Sequence, residues 1–145
     1  MRVLIQRVNN AKCEVNNKII GEIKSGLLVF VGFSETDTLI EIKKMAKKIV
    51  NLRIFNDNDG KMNKSLQDIG GKILSISQFT LYANTLKGNR PSFIDAMEPK
   101  KANEMYDLFN KELEKYNILV ETGLFGEEMN ISLTNCGPVT ISLEF

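Results

Sequence analysis

The chain has no histidine. That absence removes the Ser-His-Asp triad, the Cys-His dyad, HExxH zinc sites and imidazole general bases together, so any catalysis here runs on other groups. Cysteine is nearly missing as well. Cys13 and Cys136 are too few for a disulfide framework and show neither CxxC nor metal-ligand spacing, which leaves reduced thiols. No apolar run approaches the ~20 residues of a membrane span, and the opening MRVLIQRVNN lacks the apolar stretch of a signal peptide. A cytoplasmic protein with no membrane partner is the resulting expectation. Net charge is scarce too: 19 basic against 18 acidic side chains leave +1. This argues against wrapping duplex nucleic acid, which rests on neutralising many phosphates. A nucleic-acid partner would have to be gripped locally.

What is present is the composition of a folded domain. Hydrophobic residues make up 43% and charged residues 26%, near the soluble globular average, with no low-complexity segment and no internal period. At 145 residues the expectation is a single domain over 1–145, built on one core that buries roughly 70% of the surface exposed by the unfolded chain.

Residues 2–8, RVLIQRV, alternate as a strand, while AKCEV and KIIGEI flank Asn16-Asn17, a pair that tolerates the positive φ of a two-residue hairpin turn. GLLVFVGF at 26–33 is a continuous apolar run, the mark of a buried central strand. KILSISQF at 72–79 reads the same way, and ILVET, EMNISL and VTISLEF supply three more strand-like pieces. Two segments have helical spacing. From 36 to 52, Leu39, Ile42, Met45, Ala46, Ile49 and Leu52 lie largely opposite Lys43, Lys44, Lys47 and Lys48, with cap candidates from Ser34 to Thr38. From 99 to 116, Pro99 opens a helix whose stripe is Ala102, Met105, Tyr106, Phe109, Leu113 and Tyr116. The lysines read as a solvated face, with phosphate contact the alternative. RIFNDNDGKMN looks like a calcium loop until it is counted. With Gly60 as the sixth position, Phe55 falls on the first ligand position and Leu66 where a bidentate glutamate belongs, so the segment is a turn. Strand runs grouped around two helices imply an α+β fold with a mixed, strongly curved, barrel-like sheet of about seven strands.

TLYANTLKGNRPSF, after the second buried strand, is a long connection rich in polar residues, Gly and Pro, the kind of loop that carries function. Its NRPSF at 89–93, SQFT at 77–80 and NCGPVT at 135–140 together resemble, in order and spacing, the D-aminoacyl-tRNA deacylase family. The similarity runs from IQRV near the start through ETGLFG to the last strand. It implies a D-tyrosyl-tRNA deacylase-like fold and hydrolysis of the ester joining a D-amino acid to the terminal adenosine of tRNA. Glycyl-tRNA, having no side chain to test, is implied as a further substrate. The resemblance also implies no cofactor, no metal, recognition of the CCA end of aminoacyl-tRNA, and a homodimer with active sites at the subunit interface. Gly137-Pro138, with a cis peptide bond, would reach into the partner's pocket. There two carbonyl oxygens would accept from the substrate's α-ammonium and leave no room for an L side chain, and Arg7 would hold their orientation. The ester carbonyl would sit near the Phe79 N–H and the Ser77 and Gln78 side chains, with Thr80 lining the same pocket and the RNA's 2′-hydroxyl helping to position or activate water. Phe125 and Met129 would line the adenosine pocket.

Each motif also has a plainer reading. Gly-Pro alone is an ordinary turn, Ser77 and Thr80 are ordinary strand residues, and Phe125 and Met129 are core. Thr80 as a covalent nucleophile remains open, although no base is visible for it. Cys136 occupies a variable position of the motif and reads as incidental, and Asn135 braces the turn. Lys87 and Arg90 are the candidates for phosphate contact. The rival function is a non-catalytic nucleic-acid-binding module on the same fold, using the helix lysines and Lys87 to Arg90. A metal-dependent hydrolase is disfavoured by the missing ligands.

Overall fold

A computed structural model describes residues 1–145. In chain order the elements are β1 (Arg2–Val15), β2 (Lys18–Ile23), β3 (Gly26–Gly32), α1 (Leu39–Asn51), β4 (Phe55–Asn56), β5 (Met62–Lys64), β6 (Lys72–Ser77), a 3-10 turn (Phe79–Tyr82), α2 (Pro99–Glu114), β7 (Val120–Thr122) and β8 (Asn130–Glu144). Asn16 and Asn17 take φ of 49° and 61°, the geometry of a two-residue hairpin, and fold β2 antiparallel onto β1. The sheet order is β2-β1-β3-β6-β7, with β8 on the other edge of β1. The β3–β6 and β6–β7 pairs are parallel and the rest antiparallel. β2 curls round to pack against β6 and β7, which nearly closes a barrel. The architecture is α+β, as expected.

Two pairs of segments that read as separate strands prove continuous. Residues 2–8 and 11–15 belong to one β1, because its first half pairs with β3 and its second with β2. Exposed Asn9 and Asn10 break the alternation where the partner changes. EMNISL and VTISLEF likewise belong to one β8. Its pairing with β1 jumps from Gln6↔Thr140 to Val8↔Asn135, so Cys136 to Val139 stand opposite Arg7 as a bulge. A bulge is how a strand absorbs extra residues without losing its register further on.

The continuous apolar run of β3 reflects burial on both faces. Leu27, Val29 and Val31 join the larger cluster beneath the helices, while Leu28 joins Val8, Ala11, Cys13, Ile23, Leu74 and Ile76 in a second cluster within the barrel. The period of two along a strand therefore divides the buried side chains between two clusters instead of the single core expected.

α1 starts at Leu39, later than the expected 36, because Thr38 caps it. Thr38 Oγ1 accepts from the Ile40 N–H at 3.2 Å and Glu41 accepts from the Thr38 N–H at 2.8 Å, a capping box. α2 ends at Glu114, short of the expected 116, and Asn117 at φ 58° turns the chain away. The RIFNDNDGKMN segment is a turn between β4 and β5. Asp57 organises it, accepting from the Asp59 and Lys61 N–H groups at 2.9 Å each.

Hydrogen bonds hold four carboxyls below the usual carboxylate range, Glu35 first through the Lys101 side chain and three others through groups nearer in the chain. The first cause for Glu41 is the Thr38 side chain, for Asp57 the Asn63 side chain, and for Asp68 the Ser65 backbone N–H. A carboxyl depressed on folding contributes stability that is fully present above its unfolded value and is lost as pH falls through the folded one. The melting temperature is therefore expected to hold from neutrality down to about pH 4 and to drop below it, which a calorimetric acid series would check.

Candidate active site

β6 leaves the sheet at Ser77. The Gln78 N–H still donates to the Val31 carbonyl at 2.7 Å, but with φ −147° and ψ 85° the chain then enters the 3-10 turn. The strand expected over 72–79 thus stops early, and SQFT forms a corner. Gln78 Nε2 donates to Thr80 Oγ1 across it at 2.6 Å. Phe79 is 55% exposed and meets Phe93 edge to face, with ring centroids 5.0 Å apart.

A cavity of about 580 Å³ opens beside this corner. Ser77, Gln78 and Phe79 form one wall, and Phe125 and Met129 form another. Phe125 and Met129 also pack against the two buried clusters, so each side chain lies between the cavity and the core. Pro99 and Ala102, from the first turn of α2, complete the lining with Phe93. Thr80 is exposed and outside the lining, with its hydroxyl engaged by Gln78.

Arg7, Gly137 and Pro138 lie elsewhere, in a second constellation where β8 bulges. Gly137-Pro138 is a cis peptide, and Gly137 has φ 130°. Both residues are exposed and outside the cavity of their own chain. Arg7 is 8% exposed. Its Nε donates to the Cys136 carbonyl at 2.9 Å, and its Nη1 donates to the Ile54 carbonyl and to Asn56 Oδ1. Asn135 braces the bulge as expected, accepting from the Val139 N–H at 2.9 Å and donating to the Val139 carbonyl at 3.2 Å.

Four residues here carry no assignment in the sequence reading. Phe93 sits inside the NRPSF motif, and Pro99 marks where α2 begins, so both had a signal. Ile54 and Asn56 had none: their contact with Arg7 comes from the β4 hairpin folding against β1. Lys87 and Arg90 lie exposed on the connection between Tyr82 and α2, which is pinned at its base by paired hydrogen bonds of 2.8 and 2.9 Å between Asn84 and Ser92.

Residues 4–144 match the family described as D-Tyr-tRNA(Tyr) deacylase. The chain belongs to this family. It is 55% identical over 144 residues to a D-aminoacyl-tRNA deacylase of Lactobacillus gasseri, covering 99% of each chain. It is also 52% identical over 145 residues to one of Thermosipho melanesiensis, covering 99% of this chain and 97% of that one. Among solved structures it resembles the "c-Myc DNA Unwinding Element Binding Protein", with TM-score 0.95 and 41% identity over 100% of this chain and 99% of that one. A "probable eukaryotic D-amino acid tRNA deacylase" shares the fold with TM-score 0.83 at 19% identity, over 98% and 97% of the two chains.

In this member of the D-Tyr-tRNA(Tyr) deacylase family the charged groups lining the cavity are Glu98 and Glu127. Glu98 is committed to capping α2, its oxygens accepting from the Lys100 and Lys101 N–H groups at 3.0 and 3.1 Å. No three carboxylate or thiol side chains converge as a metal cluster, and no helix is long and apolar enough to cross a membrane.

Proposed function

We propose that this chain hydrolyses the ester bond of D-aminoacyl-tRNA, and that of glycyl-tRNA, releasing free amino acid and tRNA as a chiral proofreading step of translation in the cytoplasm. The observation that carries this reading is the Ser77–Phe79 corner facing Phe125 and Met129 across one cavity, in a chain of this family. The terminal adenosine stacks between the apolar wall and Phe93, where base stacking contributes about 1–3 kcal/mol. Its ester carbonyl then reaches the corner. The Phe79 N–H, which donates to no carbonyl of the turns and loops, and the Ser77 and Gln78 side chains stabilise the developing oxyanion. Each such donor is worth about 3 kcal/mol. With no imidazole in the chain, the RNA's 2′-hydroxyl helps to position the attacking water. Lys87 and Arg90 contact phosphates near the CCA end.

Two copies complete the site. Exposure of Gly137-Pro138 away from their own cavity supports a homodimer in which they face the partner's cavity. The outer edge of β8, paired only on its β1 side, supplies a surface for that association. A main-chain filter tests handedness and ignores side-chain identity, so many D-amino acids are accepted.

The deciding assay is deacylation of matched D- and L-aminoacyl-tRNA. Selective cleavage of the D form supports the proposal; equal rates, or no cleavage of the D form, reject it. Thr80→Ala is expected to lower kcat by less than about tenfold, because its hydroxyl orients Gln78. A covalent nucleophile would instead cost about 10⁴-fold or more, and single-turnover kinetics separate the two.

A second reading, nucleic-acid binding without catalysis, is favoured by the DNA-binding name of the 41% identical structure and by exposed Lys43, Lys44, Lys47 and Lys48 on α1. It predicts salt-sensitive binding to RNA or DNA lacking a charged 3′ end.

A further inference from the structure

The two main cavity walls diverge from a single point. β6 and β7 stay paired as far as Ser75↔Thr122, and one further bond, from the Gly123 N–H to the Ser75 carbonyl at 2.9 Å, precedes their separation. Beyond it, β6 runs two residues to Ser77 and the other segment two residues to Phe125. The same carbonyl accepts a second hydrogen bond, from the Tyr106 hydroxyl of α2 at 2.7 Å. We infer that Tyr106 is a positioning residue for hydrolysis, fixing through the Ser75 carbonyl the separation of the wall that carries Ser77 to Phe79 from the wall that carries Phe125 and Met129. The inference rests on the proposed reading of the cavity as the hydrolytic site.

Three observations support it. Tyr106 is 3% exposed, and its ring lies tilted against that of Phe125 with centroids 6.2 Å apart, so a shift in one is felt by the other. The point of divergence has no slack. A Cβ on Gly123 would lie 2.6 Å from Met129 Sδ and 2.9 Å from Ile76 Cδ1. Asn110, on the same helix and itself 7% exposed, has a buried Oδ1 without a hydrogen-bond partner, so the Ser75 carbonyl is the group that fixes the direction of the hydroxyl. Phenylalanine would fill almost the same volume. What the hydroxyl adds is therefore chiefly direction, and in a site that aligns donors with an oxyanion, direction is rate.

The test is Tyr106→Phe in the full chain. D-aminoacyl-tRNA deacylation is expected to lose about 10- to 100-fold in kcat with KM changed by less than about threefold. The melting temperature should stay close to that of the parent, and amide hydrogen exchange at Gly123 should accelerate. An unchanged kcat overturns the inference, and so does a fall in melting temperature with no loss of kcat. If the parent protein does not deacylate D-aminoacyl-tRNA, the functional reading fails first. Faster exchange at Gly123 would then mark Tyr106 as a structural tie only and overturn its catalytic meaning.

Discussion

Gly137→Ala is expected to lower kcat/KM on D-aminoacyl-tRNA by about 100-fold and to erode the preference for D over L substrates. Two independent features of the position converge on this result. The backbone holds φ 130°, a region that side-chain-bearing residues occupy only at a cost of about 1–3 kcal/mol. A Cβ added there would also lie 2.7 Å from Arg7 Nη2 and 2.9 Å from Val139 Cγ2. A flexible side chain could swing aside, but Arg7 is fixed by the Ile54 carbonyl and Asn56, and the Val139 side chain is packed against the larger buried cluster. The bulge must therefore move, and with it the carbonyls proposed to face the substrate's α-carbon. Deacylation of matched D and L substrates, alongside a melting curve, checks the prediction. A variant with the parent's D/L ratio would remove Gly137 from the selection of handedness.

How much of this was legible in the sequence depends on where the determining interaction lies. The Asn16-Asn17 hairpin, the two amphipathic helices and the double-sided burial of β3 are local patterns, and each appears where the residues place it. The ends of elements were less legible. Thr38, four residues inside a stretch rich in capping side chains, turned out to be the cap, and the choice among Ser34, Thr36, Asp37 and Thr38 depends on packing that the pattern does not encode. Gly137 and Pro138 looked like the end of one strand and the start of another, because both residues weaken strands. Only the pairing with β1, nearly the full length of the domain away in sequence, shows that the strand continues and bulges. SQFT read as strand for the opposite reason. Its residue types suit a sheet, and the corner arises because Gln78 keeps its bond to Val31 while Phe79 turns towards Phe93, a partner on a distant loop. The candidate site follows the same rule. Motif residues could be picked out one by one, but the division into a cavity and a separate, outward-facing Gly-Pro bulge is a property of the assembled sheet.

Arg7→Met carries the largest expected cost in stability. Arg7 is almost fully enclosed, and its guanidinium is the donor for three acceptors on two other segments: the Cys136 carbonyl on the β8 bulge, and the Ile54 carbonyl and Asn56 Oδ1 at the β4 hairpin. Methionine has nearly the right length and would fill much of the space, so the change isolates the lost hydrogen bonds from the lost volume. Three acceptors would then be left without their donor in a largely buried setting, and each unsatisfied group costs about 1–3 kcal/mol. Water reaching the partly buried pair would recover some of this, which puts the net loss at about 3–5 kcal/mol and the fall in melting temperature at roughly 10–15 °C. The loss should not be uniform across the molecule. Amides of the bulge and of the β4 hairpin should exchange faster well below the melting transition, whereas those of α2 and the cavity corner should not, because Arg7 touches neither. At a temperature where the variant is folded, selection between D and L substrates should weaken more than overall turnover, since the bulge and not the corner has lost its support. Equal losses in both measures would mean that Arg7 acts through global stability alone, and the proposed link between the guanidinium and the handedness filter would have to be abandoned.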